Sequence, residues 1–306
     1  MKERVQLFLD NIEKIRLYFG TGTDNFTMKM AIQLTVRGIK FCVSDYEEIK
    51  KEIRSNSKWY STVRASKVIT NAYYIHFAKE PEKVAQTLDM QKLITSTGLA
   101  NIENSYLAAM HIKNRVHAVK MDELSKELLK QPSLKFSTLS LALRAMLATR
   151  PESAEVLANT YEHYYKQLVD FNFIRGDESM SAALLLTMGT GTFDEKTWHR
   201  VKSFTTTFMS TKAKIEPRHY SVVCLLALAK YKTEELQVLT EVHEAICQSL
   251  KLNPKYYNTL LIAAQIYTCT EVVGELPKCT LDFSDIVLQG FDGVADSVSG
   301  DSGGSE

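Results

Sequence analysis

The chain has 306 residues, 45% of them hydrophobic and 24% charged, which are the proportions of an ordinary globular protein. Its formal net charge of +1 hides an asymmetry, because the last 37 residues hold eight acids against Lys278 and the other 269 carry +8. These figures exclude binding driven by overall basicity. They also exclude a disulfide framework (five scattered cysteines, no CxxC) and a membrane span, the longest strictly apolar run being Val222–Ala229.

The opening MKERVQLFLDNIEK mixes charged and apolar positions, so no secretory signal is expected, and the cysteine pattern points to reduced thiols in a cytoplasm. Val5, Phe8, Ile12, Ile15 and Phe19 follow three- and four-residue steps, which is one face of an α-helix. The string FGTGTDNF comes next, and TMGTGTFDEK repeats its GTGT 169 residues later. Neither copy has the Lys of a P-loop or the third glycine of a dinucleotide fingerprint. Both are expected to punctuate helices: the first glycine ends one, and Thr23 or Asp24, and Thr192 or Asp194, cap the following one.

The stretch KKEIRSNSKWYSTVRASK carries Lys50, Lys51, Arg54, Lys58, Arg64 and Lys67 against Glu52, a net +5, around Trp59 and Tyr60. Interleaved cations and aromatics can contact phosphates and stack bases, so these six cations are the candidate anion or nucleic-acid contact. In the competing reading, which is favoured, Trp59 and Tyr60 are core anchors of a helix and the cations are solvated. Tyr60 aligns with Phe136, Tyr220 and Tyr257, each expected to open a buried helix. The carboxylate pairs Glu47-Glu48 and Glu234-Glu235 sit where they favour a helix dipole.

Further along, Trp198, Val201, Phe204 and Phe208 form a helical face, as do Leu236, Leu239, Val242, Ile246 and Leu250. Cys224 and Cys247 lie in such patterns and are expected to pack in the core. Seven histidines form no HExxH, and the single ExxH, Glu216 to His219, stands at a helix entrance, short of the paired motifs of a di-iron bundle. There is no GxSxG. No catalytic residue, metal ligand or cofactor is therefore expected.

Self-similarity organises the chain. An aromatic or apolar residue, a small polar one and a helical apolar run recur at Phe26, Tyr60, Ser105, Phe136, Met180, Tyr220 and Tyr257, at spacings of 34, 45, 31, 44, 40 and 37 residues. A longer amphipathic helix precedes each. The predicted unit is a hairpin of helix A then the more apolar helix B, with Pro217 and Pro254 in the first turn of B helices. Pro81 and Pro151 open A helices, and Asp177 caps a helix after Gly176. The fold predicted is all-α: about seven antiparallel helical hairpins over residues 1–268, stacked as an α-α superhelix of tetratricopeptide-like or related repeats. The first two hairpins form a small bundle, and 269–306 is an acidic, Gly/Ser-rich flexible tail.

The blocks NSKWYSTVRASKVITNAYYI (56–75), EPEKVAQTLDMQKLITSTGLANIENSYLAAMHI (80–112) and LVDFNFIRGDESMSAALLLT (168–187) resemble a family of bacterial, Bacillus-like proteins of unknown function. The resemblance covers most of the chain before the tail. It implies a helical domain and carries no activity, ligand or catalytic residue.

Three functions are open at this stage. A stacked helical array exposes an extended face, and its default use is to hold a protein or peptide; the leading expectation is a non-enzymatic, cytoplasmic interaction module. Nucleic-acid or anion binding through residues 50–67 is the alternative, and an enzyme of the helical-toroid type is the third.

Overall fold

Helices form where the apolar spacing places them, and the computed structural model contains fourteen α-helices among its described residues, which are 2–22, 24–97, 103–134, 140–210, 216–231, 236–252 and 259–271. No strand occurs among them, so the fold is all-α as predicted. Phe136, Pro254, Tyr257 and nearly all of the predicted tail lie outside the described residues.

The chain divides into two units, Met1–Lys40 with His163–Glu306, and Phe41–Glu162. The first two predicted hairpins therefore belong to different units.

The first unit holds α1 (Lys2–Phe19), α2 (Asn25–Val36), the end of α9 (Ala154–Asp170), α10 (Asp177–Thr190), α11 (Glu195–Ser210), α12 (Tyr220–Leu228), α13 (Leu236–Leu250) and α14 (Thr259–Glu271). Helix α1 buries Phe8, Ile12 and Ile15 at the predicted steps, and with them Asn11, which no hydrophobic pattern marks. The Asn11 amide donates to the Ile39 carbonyl (3.0 Å) and the Thr35 hydroxyl (3.3 Å), pinning α1 to the end of α2. Helices α11 and α13 pair with α12 and α14, and α10, α12 and α14 pack in sequence. Helix α14 also packs on α2 and reaches α1, so the first and last described hairpins are neighbours in this unit. The B helices are buried around their circumference: Val222–Leu228 are all buried on α12, as are Ala182–Met188 on α10. That is the behaviour predicted for the inner helix.

The second unit holds α3 (Val43–Ser55), α4 (Lys67–Phe77), α5 (Lys83–Ser96), α6 (Glu103–Ala109), α7 (Arg115–Lys130), α8 (Leu141–Ala148) and the start of α9. Contacts run from α3 to α5 to α7 in one row and from α4 to α6 to α8 in the other, with each A helix against its B helix.

The two GTGT strings punctuate helices, but two residues out of step. Gly20, the first glycine of its string, ends α1 with φ +66° and donates to the Arg16 carbonyl (2.9 Å). In the second string that role falls to Gly191, the second glycine, with φ +73° and a bond to the Thr187 carbonyl (2.8 Å). Gly189 instead lies inside α10, where a Cβ would stand 2.4 Å from Cδ2 of Leu228 on α12. Asp24 and Asp194 are the caps, accepting from the amides of Thr27 (2.8 Å) and Thr197 (3.0 Å). The Tyr164 hydroxyl accepts from the Asp194 amide (2.9 Å) and bonds the Thr190 hydroxyl (3.1 Å), which fixes the second turn. Asp177 corrects by one position: it is the first residue of α10, and Gly176 precedes the helix without a side-chain cap.

Candidate functional site

The candidate contact lies on the connection between α3 and α4. Helix α3 faces inward through Tyr46, Ile49 and Ile53 and outward through its charges. The Tyr46 ring packs edge-on against Tyr74 of α4 (5.3 Å), and both pack against Phe41. Two hydroxyls lock this cluster. That of Tyr46 donates to Asn71 (2.8 Å), and that of Tyr74 accepts from the Cys42 amide (2.8 Å). Burial pushes the Tyr74 phenol up to about 12.

Helix α3 ends because Ser55, Asn56 and Ser57 offer side-chain donors to the carbonyls of its last turn, those of Lys51, Glu52 and Ile53. The Ser61 amide then bonds back to the Lys58 carbonyl (2.9 Å), closing a turn with Trp59 and Tyr60 at its two central positions. Val63, in a short 3-10 turn over Thr62–Arg64, is fully buried. Ser66 caps α4, its hydroxyl accepting from the Ile69 amide (3.1 Å) and donating to the Glu103 carboxylate.

This geometry corrects the favoured reading of the aromatics. Trp59 is 83% exposed and Tyr60 63%, so neither is a core anchor. The anchor is Val63, and α4 begins seven residues after Tyr60, whereas Tyr220 opens α12 and is buried. Tyr60 is therefore not the structural counterpart of Tyr220. Both aromatic rings stand edge to face at 5.6 Å, with the Lys58 ammonium 5.7 Å from the Tyr60 ring.

The six cations divide into two groups. Lys50 pairs with Glu47 (2.8 Å) and Lys51 with Glu48 (3.6 Å), one helical turn back, so the acids just outside the basic stretch offset part of its charge. Such exposed pairs add little stability but do lower the local potential. Arg54, Lys58, Arg64 and Lys67 have no carboxylate partner among the described residues, and they surround the aromatic turn in sequence. The connection thus carries a bare aromatic pair with Lys58 and Arg64, between Arg54 in the last turn of α3 and Lys67 at the start of α4.

The remaining motifs resolve into structure. The Glu216 amide donates to Nδ1 of His219 (3.3 Å), so the ExxH closes the entrance to α12. Pro217 stands first in the 3-10 turn there, as predicted. Among the described residues no group of three or more His, Cys, Asp or Glu is placed to hold a metal ion, and no described helix is long and apolar enough to cross a membrane. Cys224 is fully buried, and burial pushes its thiol well above the ordinary range. Cys247 differs. It is half-buried on α13, 3.3 Å from the Thr259 hydroxyl of α14, which itself lies 2.8 Å from Nδ1 of His243. The four-residue step from His243 to Cys247 was visible in the sequence, whereas the Thr259 contact depends on how α13 and α14 pack.

No curated protein and no solved structure matches this chain. A family described as "Protein of unknown function (DUF4003)" matches residues 11–288, a span that includes both units' described helices from the second half of α1 onward. The match takes in most of the 306 residues, and the chain belongs to the DUF4003 family.

Proposed function

We propose that this chain is a cytoplasmic, bacterial helical-repeat protein that works by binding a protein or peptide partner rather than by catalysis, with the α3–α4 connection as its contact point. The observation that carries the reading is the exposure of Trp59 and Tyr60, with the Lys58 ammonium at the Tyr60 ring and Arg54 exposed at the end of α3. Trp, Tyr and Arg are the residue types that dominate interface energies, and a large bare tryptophan leaves apolar area for a partner to cover. The adjoining cations favour an acidic partner surface. Cys42, Cys224 and Cys247 are free thiols, which supports a reducing compartment, and the bacterial origin rests on the family resemblance.

The test compares wild type with Trp59→Ala and Lys58→Glu in affinity capture from a native lysate, followed by titration of whatever is captured. Truncating an interface anchor costs about 2 kcal/mol or more, so Trp59→Ala should weaken binding roughly 30-fold. Because Trp59 is exposed, its loss should leave stability within about 0.5 kcal/mol. Equal capture by wild type and both variants would remove this surface from consideration.

The second reading, single-stranded nucleic acid at the same connection, draws on the four uncompensated cations around two stackable rings. Fluorescence anisotropy with labelled single-stranded RNA and DNA decides it. Binding that weakens steeply with salt and with Arg54→Ala supports it; no binding at low salt ends it.

A further inference from the structure

His243 and Cys247 stand one turn apart on α13, facing the buried hydroxyl of Thr259 at the start of α14. The three polar atoms form a triangle: Thr259 Oγ1 to His243 Nδ1 is 2.8 Å, Cys247 Sγ to Thr259 Oγ1 is 3.3 Å, and Cys247 Sγ to His243 Nδ1 is 3.9 Å. Two orders of protons fit the Cys247–Thr259 and Thr259–His243 contacts, one running each way. With Nδ1 of His243 unprotonated, the thiol donates to the threonine oxygen and the threonine hydroxyl donates to the imidazole nitrogen. The path from sulfur to base is therefore continuous, and Thr259 can pass a proton along it without moving.

We propose that Cys247 is a reactive thiol, activated by His243 through the hydroxyl of Thr259, and that it is a site of oxidation by hydroperoxides. Transfer of two protons along the chain leaves a thiolate that accepts from the Thr259 hydroxyl, and an imidazolium whose Nδ1–H donates to the threonine oxygen. The sulfur then sees both a hydrogen-bond donor and a positive charge, the surroundings that favour a thiolate nucleophile. In the reaction the thiolate attacks the O–O bond of a hydroperoxide. A sulfur–oxygen bond forms and the oxygen–oxygen bond breaks. The departing oxygen takes the imidazolium proton, giving a sulfenic acid and an alcohol, or water when the oxidant is hydrogen peroxide. Sulfur loses two electrons and the peroxide gains them. The imidazole is returned neutral.

Cys42 provides a control inside the same molecule. It too is half-buried, and its Sγ lies 3.0 Å from the Ser44 hydroxyl, yet among the described residues no imidazole joins that pair. The experiment treats the full chain with hydrogen peroxide at neutral pH, traps sulfenic acid with dimedone, and follows each cysteine peptide by mass spectrometry. Cys247 is expected to be trapped ~10-fold or more faster than Cys42. Thr259→Val, which keeps the shape and removes the hydroxyl, should reduce Cys247 to the rate of Cys42, and Thr259→Ser should restore it. His243→Gln should match Thr259→Val, with helix content unchanged by circular dichroism. Equal rates at Cys247 and Cys42 would overturn the proposal, and so would a Thr259→Val protein that is folded and reacts as fast as wild type. Should His243→Gln fail to fold, the Val and Ser pair at position 259 decides alone.

Discussion

Gly189 offers the sharpest test of how the B helices pack. A Cβ at this position would stand 2.4 Å from Cδ2, 2.9 Å from Cδ1 and 3.2 Å from Cγ of Leu228. Carbon atoms rest at about 3.5–4.0 Å, so an alanine overlaps the leucine by more than an ångström. Leu228 is only 6% exposed and cannot swing into solvent. Relief needs a strained leucine rotamer, at about 0.5–1.5 kcal/mol, or a shift of α10 against α12, within the 1–3 kcal/mol typical of overpacking. Working the other way, replacing glycine by alanine in a helix gains up to about 1 kcal/mol, and less in the last turn where Gly189 sits. Gly189→Ala should therefore destabilise the protein by about 1–2 kcal/mol. With Leu228→Ala in place the obstructing atoms are gone, and the same substitution should become neutral or stabilising. Urea unfolding of the four proteins, followed by circular dichroism, measures the coupling. Hydrogen exchange of peptides 177–190 and 220–228 checks that the effect is local. Additivity within about 0.5 kcal/mol would refute the close approach of α10 and α12.

Three further outcomes are expected. Asn11→Leu leaves the buried Ile39 carbonyl without its amide donor and should cost about 1–3 kcal/mol by urea unfolding; a change under about 0.5 would mean Asn11 is no pin. Asp194→Ala removes the cap of α11 and should cost about 1 kcal/mol at neutral pH. Hydrogen bonds from the Thr197 hydroxyl, then its amide, hold the Asp194 carboxyl below its ordinary value. Its contribution is thus present above about pH 4 and fades as pH falls through the lowered value; a difference between variant and parent that stays constant into acid contradicts this. Trp59 and Trp198 are the only tryptophans, 83% and 4% exposed, so Trp198→Phe should leave red-shifted emission readily quenched by iodide, and Trp59→Phe the reverse. The opposite order would return Trp59 to the core.

The paired helices were legible because burial repeats along a helix with the period of the sequence. Phe8, Ile12 and Ile15 and, on another A helix, Leu239, Val242 and Ile246 all stand where spacing put them. The polar members were not, since Asn11 and Thr259 owe their burial to partners on other helices that no local period encodes. The aromatic turn shows why a motif can mislead when the pattern itself is sound. Tyr60 and Tyr220 sit in similar strings, YSTV and YSVV, yet one is bare at a turn and the other is buried at a helix start. What separates them lies just upstream. Before Tyr60 the serines and asparagine at 55–57 terminate α3, and the chain needs a further turn before Ser66 can cap α4. Before Tyr220, Pro217 presets the helical backbone within three residues, so the tyrosine enters the helix at once. The extra turn costs the second unit a buried tyrosine and places Trp59 and Tyr60 in water, where Val63 has taken over the packing role. An exposed tryptophan in a turn flanked in sequence by Arg54, Lys58, Arg64 and Lys67 leaves its apolar area in water, and the α3–α4 connection is therefore the first surface to test for a partner.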